Sequence, residues 1–407
     1  MRLRAAITLL GLLLPCPLIA QQLFSDGAGW YREPGYRSTA AQRHLYWTPD
    51  WGAHWEDITP PIPDGYELGE WGQTFFLDRS RGWVFLVPIC GFRSGVANRD
   101  LHAKLKLAFT ADSGKSWTTT DVRLPDYPHP LSLGDGPCCV TFADAKHGWM
   151  RIGFADPQGS DDLLLLATED GGRSWELLSD PPSQVGCVHF SNAKDGWVTD
   201  ESSATLRVWR TRDGGQTWLE VSPRVPKRLG EVFGDYGIAI RSRKQVSVAA
   251  YVMSSSGDRV ILFLTEDQGR TWKREITLPT LGWTHDALEV VGSSIIRGEL
   301  SELSREAPKQ TLTLTTFTAK GVSKRQQAEA PSLPPLPEGD LPACPTTLSG
   351  LNMIDENRGW AYVSCGITDL LFATADAGKS WSNVSPAAVP KMTDYRLGGG
   401  DTYACPK

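Results

Sequence analysis

Residues 168–175 read TEDGGRSW, and near copies stand at 48–55 (TPDWGAHW), 110–117 (TADSGKSW), 211–218 (TRDGGQTW), 265–272 (TEDQGRTW) and 374–381 (TADAGKSW). Together they make six copies of T-x-D-x-G-x-[ST]-W, with His54 replacing the Ser or Thr in the first. A reaction centre brings unlike groups to one point. Self-similarity at a fixed period marks a repeated supersecondary unit instead.

A second motif precedes most copies: FLDRSRGW at 76–83, FADAKHGW at 142–149, FSNAKDGW at 190–197, MIDENRGW at 353–360 and a shorter FSDGAGW at 24–30. A further Gly-Trp stands at Gly282-Trp283. The first motif ends in Trp55, Trp117, Trp175, Trp218, Trp272 and Trp381, and the second in Trp30, Trp83, Trp149, Trp197, Trp283 and Trp360. Twelve of the 16 tryptophans therefore belong to the repeats. Five segments carry both motifs. A sixth, from Gly237-Ile238 through Trp272, has Ile in place of the Gly-Trp tryptophan, and a seventh, from Gly282-Trp283, keeps only Thr318-Ala319-Lys320-Gly321 of the first motif. The interval from Asp267 to Asp376 is twice the usual one, as expected if one copy has decayed between them.

Each unit reads as four short strands. LLLLAT, a turn EDGGRS and WELL form one hairpin near 163–178, and CVTF, ADAKH and GWMRIGF form the other at 139–154. Short apolar or β-branched runs broken by Gly/Asp turns are hairpin signals. Seven four-stranded antiparallel units predict an all-β fold, a seven-bladed β-propeller. The expected blades are 21–60, 61–124, 131–181, 184–223, 228–278, 281–327 and 345–386, with a Pro-rich connection at 328–344 and a closing segment at 387–407.

Composition agrees with a folded chain: of 407 residues, 41% are hydrophobic and 22% charged. Arg2 and Arg4 precede an apolar run from Ala5 to Leu14, then Pro15-Cys16-Pro17 and Ala20. Residues 1–20 thus read as a secretory signal peptide, which places the mature chain in the periplasm or outside the cell. Acylation on Cys16 is the alternative, although Pro15 stands where such signals want a small residue. No later stretch approaches the ~18 apolar residues that span a bilayer. A net charge of −6 argues against nucleic acid as a partner.

The six copies resemble Asp-boxes, also called bacterial neuraminidase repeats. Their pairing with F-x-D-x-x-x-G-W is similar to the photosystem II assembly and stability factor family of seven-bladed propellers. That resemblance implies the fold and leaves the activity open, because Asp-box propellers include sialidases, xyloglucanases, sortilin-type receptors and assembly factors. In the box turn, a short carboxylate such as Asp170 accepts backbone N–H bonds, Gly172 supplies a positive φ, Thr168 and Ser174 close the turn, and Trp175 packs between blades. Asp50, Asp112, Asp170, Asp213, Asp267 and Asp376 are accordingly expected to be turn staples, and Asp78, Asp144, Asn192 and Asp355 serve likewise in the other hairpin.

Both motifs fall at one end of the propeller, so variable sequence collects at the other, where a protein or glycan partner is expected to bind a monomeric chain. Export leaves seven cysteines. Cys139 and Cys187 occupy one repeat position at the start of strand one, Cys90 and Cys365 fall near the end of strand two, and Cys344 precedes the last blade. In an oxidising compartment disulfides are favoured over a metal site. The expected set is Cys344–Cys365 plus at least one link among Cys90, Cys138, Cys139 and Cys187, with Cys405 unpaired. No Cys-x-x-Cys occurs, His189 reads as a strand residue, and no metal or cofactor is expected.

An enzymatic alternative rests on Tyr31-Arg32-Glu33-Pro34. It resembles the [FY]-R-x-P motif of sialidases, which implies that Arg32 grips a substrate carboxylate. The likeness is incomplete: Glu33 stands where an apolar residue is usual and would compete for Arg32. No motif singles out a nucleophile among Tyr251, Tyr362 and Tyr395. The favoured reading is a non-enzymatic binding or assembly scaffold, with a sialidase-like glycoside hydrolase or carbohydrate-binding propeller as the alternative.

Overall fold

The computed structural model describes residues 21–33, 43–69, 73–88, 105–126, 138–155, 161–178, 187–199, 205–240, 242, 244–255, 257–279, 286–301, 309–331, 346–365 and 368–386. These form seven antiparallel sheets in chain order, the seven blades of a β-propeller. Blade one is β1 (Gln21–Leu23), β2 (Gly29–Arg32), β3 (Leu45–Thr48) and β4 (Glu56–Asp57). Blade two has five strands: β5 (Tyr66–Leu68), β6 (Thr74–Phe76), β7 (Gly82–Pro88), β8 (Lys106–Thr110) and β9 (Thr118–Asp121). Blade three follows as β10 (Cys138–Phe142), β11 (Gly148–Ala155), β12 (Asp161–Thr168) and β13 (Glu176–Leu177), and blade four as β14 (His189–Phe190), β15 (Gly196–Thr199), β16 (Val208–Thr211) and β17 (Leu219–Glu220). Blade five is β18 (Glu231–Ile240), β19 (Val246–Met253), β20 (Arg259–Thr265) and β21 (Lys273–Pro279). Blade six is β22 (Asp286–Val291), β23 (Ser294–Leu300), β24 (Thr311–Thr318) and β25 (Gly321–Glu329), and blade seven is β26 (Thr346–Met353), β27 (Gly359–Cys365), β28 (Thr368–Thr374) and β29 (Ser382–Asn383).

Alternation along the second strand builds the core. In β7, Trp83, Phe85 and Val87 pack with Val140, Phe142 and Met150 of blade three, while Val84 and Leu86 pack with Trp30, Trp47 and Ile58 of blade one. Period-two projection thus sends one side-chain set to each neighbour. That explains why GWVFLVP is apolar at every position and buried throughout. The Gly-Trp tryptophans are the largest wedges: Trp83 stacks on Phe142 with centroids 3.9 Å apart, and Trp149 on Phe190 at 3.3 Å.

The six boxes share one geometry. The box Thr hydroxyl accepts the backbone N–H of the box Gly at 2.8–3.0 Å. One Asp oxygen accepts the backbone N–H four residues on, at 2.8–3.0 Å. The other accepts the Ser or Thr hydroxyl at 2.5–2.7 Å, or His54 Nδ1 at 2.6 Å in blade one. The box Gly is needed twice over. Gly172 has φ 91°, and a Cβ there would lie 2.4 Å from Leu107 of the preceding blade.

The residue after each Asp is the part that sequence reasoning missed. Trp51, Ser113, Gly171, Gly214, Gln268 and Ala377 all have φ between 65° and 79°. Each donates its N–H to a carbonyl of its blade's first hairpin, at Gly27, Ser80, Lys146, Lys194, Lys244 and Asn357. Its own carbonyl accepts the preceding blade's tryptophan in two clear cases, Trp83 Nε1 to Gly171 at 3.2 Å and Trp149 Nε1 to Gly214 at 2.8 Å. The box therefore joins two hairpins of one blade to the wedge of the last.

A ranking of substitutions follows from burial. Gly172 N–H is enclosed, so Thr168→Val strands a buried donor and should cost about 2 kcal/mol. Asp170 is exposed, and water can replace part of what it accepts from Arg173 and Ser174, so Asp170→Ala should cost about 1 kcal/mol. Urea denaturation of both variants decides: the reverse order would remove this account of the turn.

Two expectations about blades five and six need correction. Gly237-Ile238 does not open the second strand of blade five; both lie in β18, the first strand. The second strand starts at Val246, which faces Thr265 as Gly148 faces Thr168, so Ser247 takes the tryptophan's place and bonds Gly292 O at 2.8 Å. Gly282-Trp283 lies outside the described residues and precedes β22, whereas strand two of blade six begins at Ser294, and Ile296 packs toward blade seven. β18 is irregular, with register shifts at Val232/Gly234 and Asp235/Gly237. The decayed box does persist as a turn: Lys320 N–H bonds Thr318 Oγ1 and Gly321 has φ 104°. β25 also runs into the expected Pro-rich connection, through Ala328 and Glu329.

First strands of neighbouring blades adjoin one another and so line the axis. The ring closes between blades seven and one without a shared strand. Leu23 N–H bonds Asn352 Oδ1 at 3.0 Å, Trp55 Nε1 bonds Val384 O at 2.6 Å, and Trp55 packs on Trp360 at 5.7 Å.

Candidate functional site

The bonds between boxes and first hairpins put both motifs at one end of the propeller. Strand one begins, and strand two finishes, at the opposite end. Arg32 sits there, at the end of β2 opposite Leu45, and is 1% exposed. Glu33, the next residue, turns to the other face of the strand: its carboxylate accepts His44 N–H at 3.1 Å and Tyr46 Oη–H at 3.2 Å. Glu33 is thus engaged by Tyr46 and His44. Burial pushes the Glu33 carboxyl up, and burial together with the Glu33 charge pushes the Tyr46 hydroxyl up. A phenol raised in this way is a poor nucleophile. Beside it, His44 Nδ1 lies 2.6 Å from Asp57 Oδ2; burial opposes ionisation of Asp57, but bonds from Thr59 and His44 hold it below the usual range.

A disulfide joins Cys139 to Cys187, with Cα atoms 5.1 Å apart. It ties the first strand of blade three to the chain just ahead of β14, close to the axis. Cys139 has φ 53° and lies in the bulge between Cys138 and Thr141, where β10 changes register. One expected link is therefore present. Cys138 opens β10 and Cys365 ends β27, while Cys90, Cys344 and Cys405 lie outside the described residues.

Two ionisable side chains on the axial strands had no motif to announce them. His189 of β14 is held near pKa 4 by burial alone, and Glu289 of β22 is pushed up to about 8 by burial alone. Both keep partial contact with solvent. They stand on blades four and six. The signal for Glu289 was a lone carboxylate inside LEVV of an inner strand.

Glu289 predicts a pH effect. Its folded pKa exceeds the ordinary 4.5, so the native state holds the proton more tightly and loses stability as pH rises from 4.5 through about 8. Glu289→Gln should stabilise the protein by about 1–2 kcal/mol at pH 9, the full shift being discounted for partial exposure, and do nothing below pH 4. Thermal unfolding across that range tests this; an unchanged difference at both ends would place the carboxyl in water.

The box carboxylates are ordinary turn ligands. Hydrogen bonds from Thr271 and Thr265 hold Asp267 near 2; for Asp170, burial acts upward and is outweighed by Ser174 and Thr168. Among the described residues no group of three or more His, Cys, Asp or Glu side chains could hold a metal, and no helix is long and apolar enough to cross a membrane.

No protein-family model matches the chain, and no curated protein does. Solved structures similar to it include YCF48 from Cyanidioschyzon merolae, at 14% identity and a TM-score of 0.46, covering 81% of this chain and 88% of that one. A Hadza microbial sialidase aligns at 14% identity and a TM-score of 0.43, over 70% of this chain and 64% of its own. A puromycin-hydrolyzing peptidase of Mycobacterium tuberculosis aligns at 10% identity and a TM-score of 0.50, over 92% of this chain and 54% of its own. The likeness is one of fold. This chain spans about half the length of the peptidase.

Proposed function

We propose that the chain is an exported, non-enzymatic scaffold that holds a partner protein at the end of the propeller opposite the boxes. One observation carries the reading: the box carboxylates, the most repeated ionisable groups, are each bonded within their own turn, which leaves them no part in chemistry. Arg32 is enclosed and Tyr46 is raised away from nucleophilic pKa values, which adds support. Export through residues 1–20 suits the Cys139–Cys187 bridge. The resemblance of the paired motifs to photosystem II assembly factors points the same way.

The sialidase-like reading is kept for Arg32 alone. Purified protein is expected to leave a fluorogenic sialoside intact, and cleavage lost in Arg32→Ala would overturn the scaffold. Co-purification from the native envelope and a glycan array separate what remains. A single stoichiometric protein supports the scaffold, whereas discrete glycan binding without one assigns the end opposite the boxes to carbohydrate.

A further inference from the structure

The outermost strand of blade six is unlike those of the other blades. β25 has nine residues, against two in β4, β13, β17 and β29, four in β9 and seven in β21. Among the described residues it pairs with β24 alone, so its other edge presents a row of backbone donors and acceptors at the rim. It contains no proline, and its Val322 is 61% exposed.

We infer that this edge pairs with the β25 edge of a second copy of the chain, joining two propellers rim to rim. Charge order argues for this occupant. Lys324 lies in the first half of the strand, Arg325 at its midpoint and Glu329 at its end. Antiparallel pairing of like strands can set the basic pair of each toward the acidic end of the other. Geometry narrows the register further. A two-fold axis normal to the sheet places same-face residues opposite each other, and Arg325, Gln327 and Glu329 share one face. Centring the axis on Gln327 brings Arg325 opposite Glu329 of the second copy, twice, around a Gln327 pair.

Both charged side chains are exposed, each beside an ion-pair partner of its own chain. Arg325 is 63% exposed, with Glu299 3.8 Å away, and Glu329 is 53% exposed beside Lys309 at 2.7 Å. Charges on an edge normally exclude chance pairing. Here they admit a strand with the complementary order, and the chain's own β25 has it. A convex rim also lets one blade of each ring meet without its neighbours colliding. Rim pairing is independent of what binds at the end opposite the boxes.

Charge reversal tests it on the intact exported protein. Sedimentation equilibrium of the wild type should show dimer growing with concentration. Arg325→Glu and Glu329→Arg should each weaken it about tenfold or more by setting like charges opposite, and an equimolar mixture of the two variants should restore it. Thermal unfolding checks that each variant keeps its fold, as exposed positions should. A wild type that stays monomeric at every concentration overturns the inference. So does a dimer indifferent to either reversal, or a mixture no tighter than its components.

Discussion

Trp360→Ala is expected to cost about 4 kcal/mol, as truncation of a fully buried aromatic does, and to open the ring. The side chain is 0% exposed and lies in a cluster with Leu23, Tyr31 and Tyr46 of blade one. A Cβ on Gly29 would sit 2.6 Å from its ring, so blade one's backbone rests directly on the indole. Its Nε1 points at Trp51 O, 3.4 Å away, and its ring meets Trp55. Every other pair of neighbouring blades is joined by consecutive chain. Blades seven and one are held by these side chains and a few cross-seam bonds. Trp83→Ala is the control: Trp83 is as deeply buried and stacks on Phe142, but its blades remain connected. Both variants should lose similar stability to urea. Small-angle scattering under native conditions should expand only for Trp360→Ala, and equal scattering from the two would mean the seam is closed by something other than this ring.

What could be read in the letters was the chemistry that stays local. Thr168, Asp170, Gly172 and Ser174 bond within a few residues of one another, so their pattern announces the turn wherever the fold places it. What Gly172 avoids, the side chain of Leu107, lies on another blade and leaves no local mark. The same holds for the positive φ at Ser113, Gln268 and Ala377, which is imposed by a carbonyl on a separate hairpin. Blades five and six were misaligned because Ser247 stands in the wedge tryptophan's place in one and β23 holds no tryptophan in the other, and without it the second strand has no signpost. In the candidate site, Arg32 was visible through a motif, but its enclosure depends on blade packing. Tyr46 meets Glu33 across two strands, a pairing that no spacing in the sequence specifies.

Removing the Cys139–Cys187 bridge should cost about 4 kcal/mol, the chain-entropy value for a closed loop of this size, the two residues being 48 positions apart. The bridge spans blades three and four on the axial side, where each contributes only a short first strand: β14 is two residues long and β10 is broken by a bulge. Few backbone bonds hold that inner edge, so the covalent link limits how far the unfolded chain can separate the two blades. Cys139 also occupies φ 53°, which costs a residue with a Cβ about 1 kcal/mol and offsets part of the gain. Cys187→Ser, Cys139→Ser and the double variant should therefore unfold at the same urea concentration, well below that of the oxidised wild type, and reductant should bring the wild type toward them. Non-reducing peptide mapping of exported protein should recover the Cys139–Cys187 pair. If instead every cysteine is alkylated without reductant, both the bridge and the oxidising compartment assigned to the chain are wrong. A wild type whose unfolding ignores reductant would mean that packing between Val188, Trp149 and Leu178 already fixes the two blades.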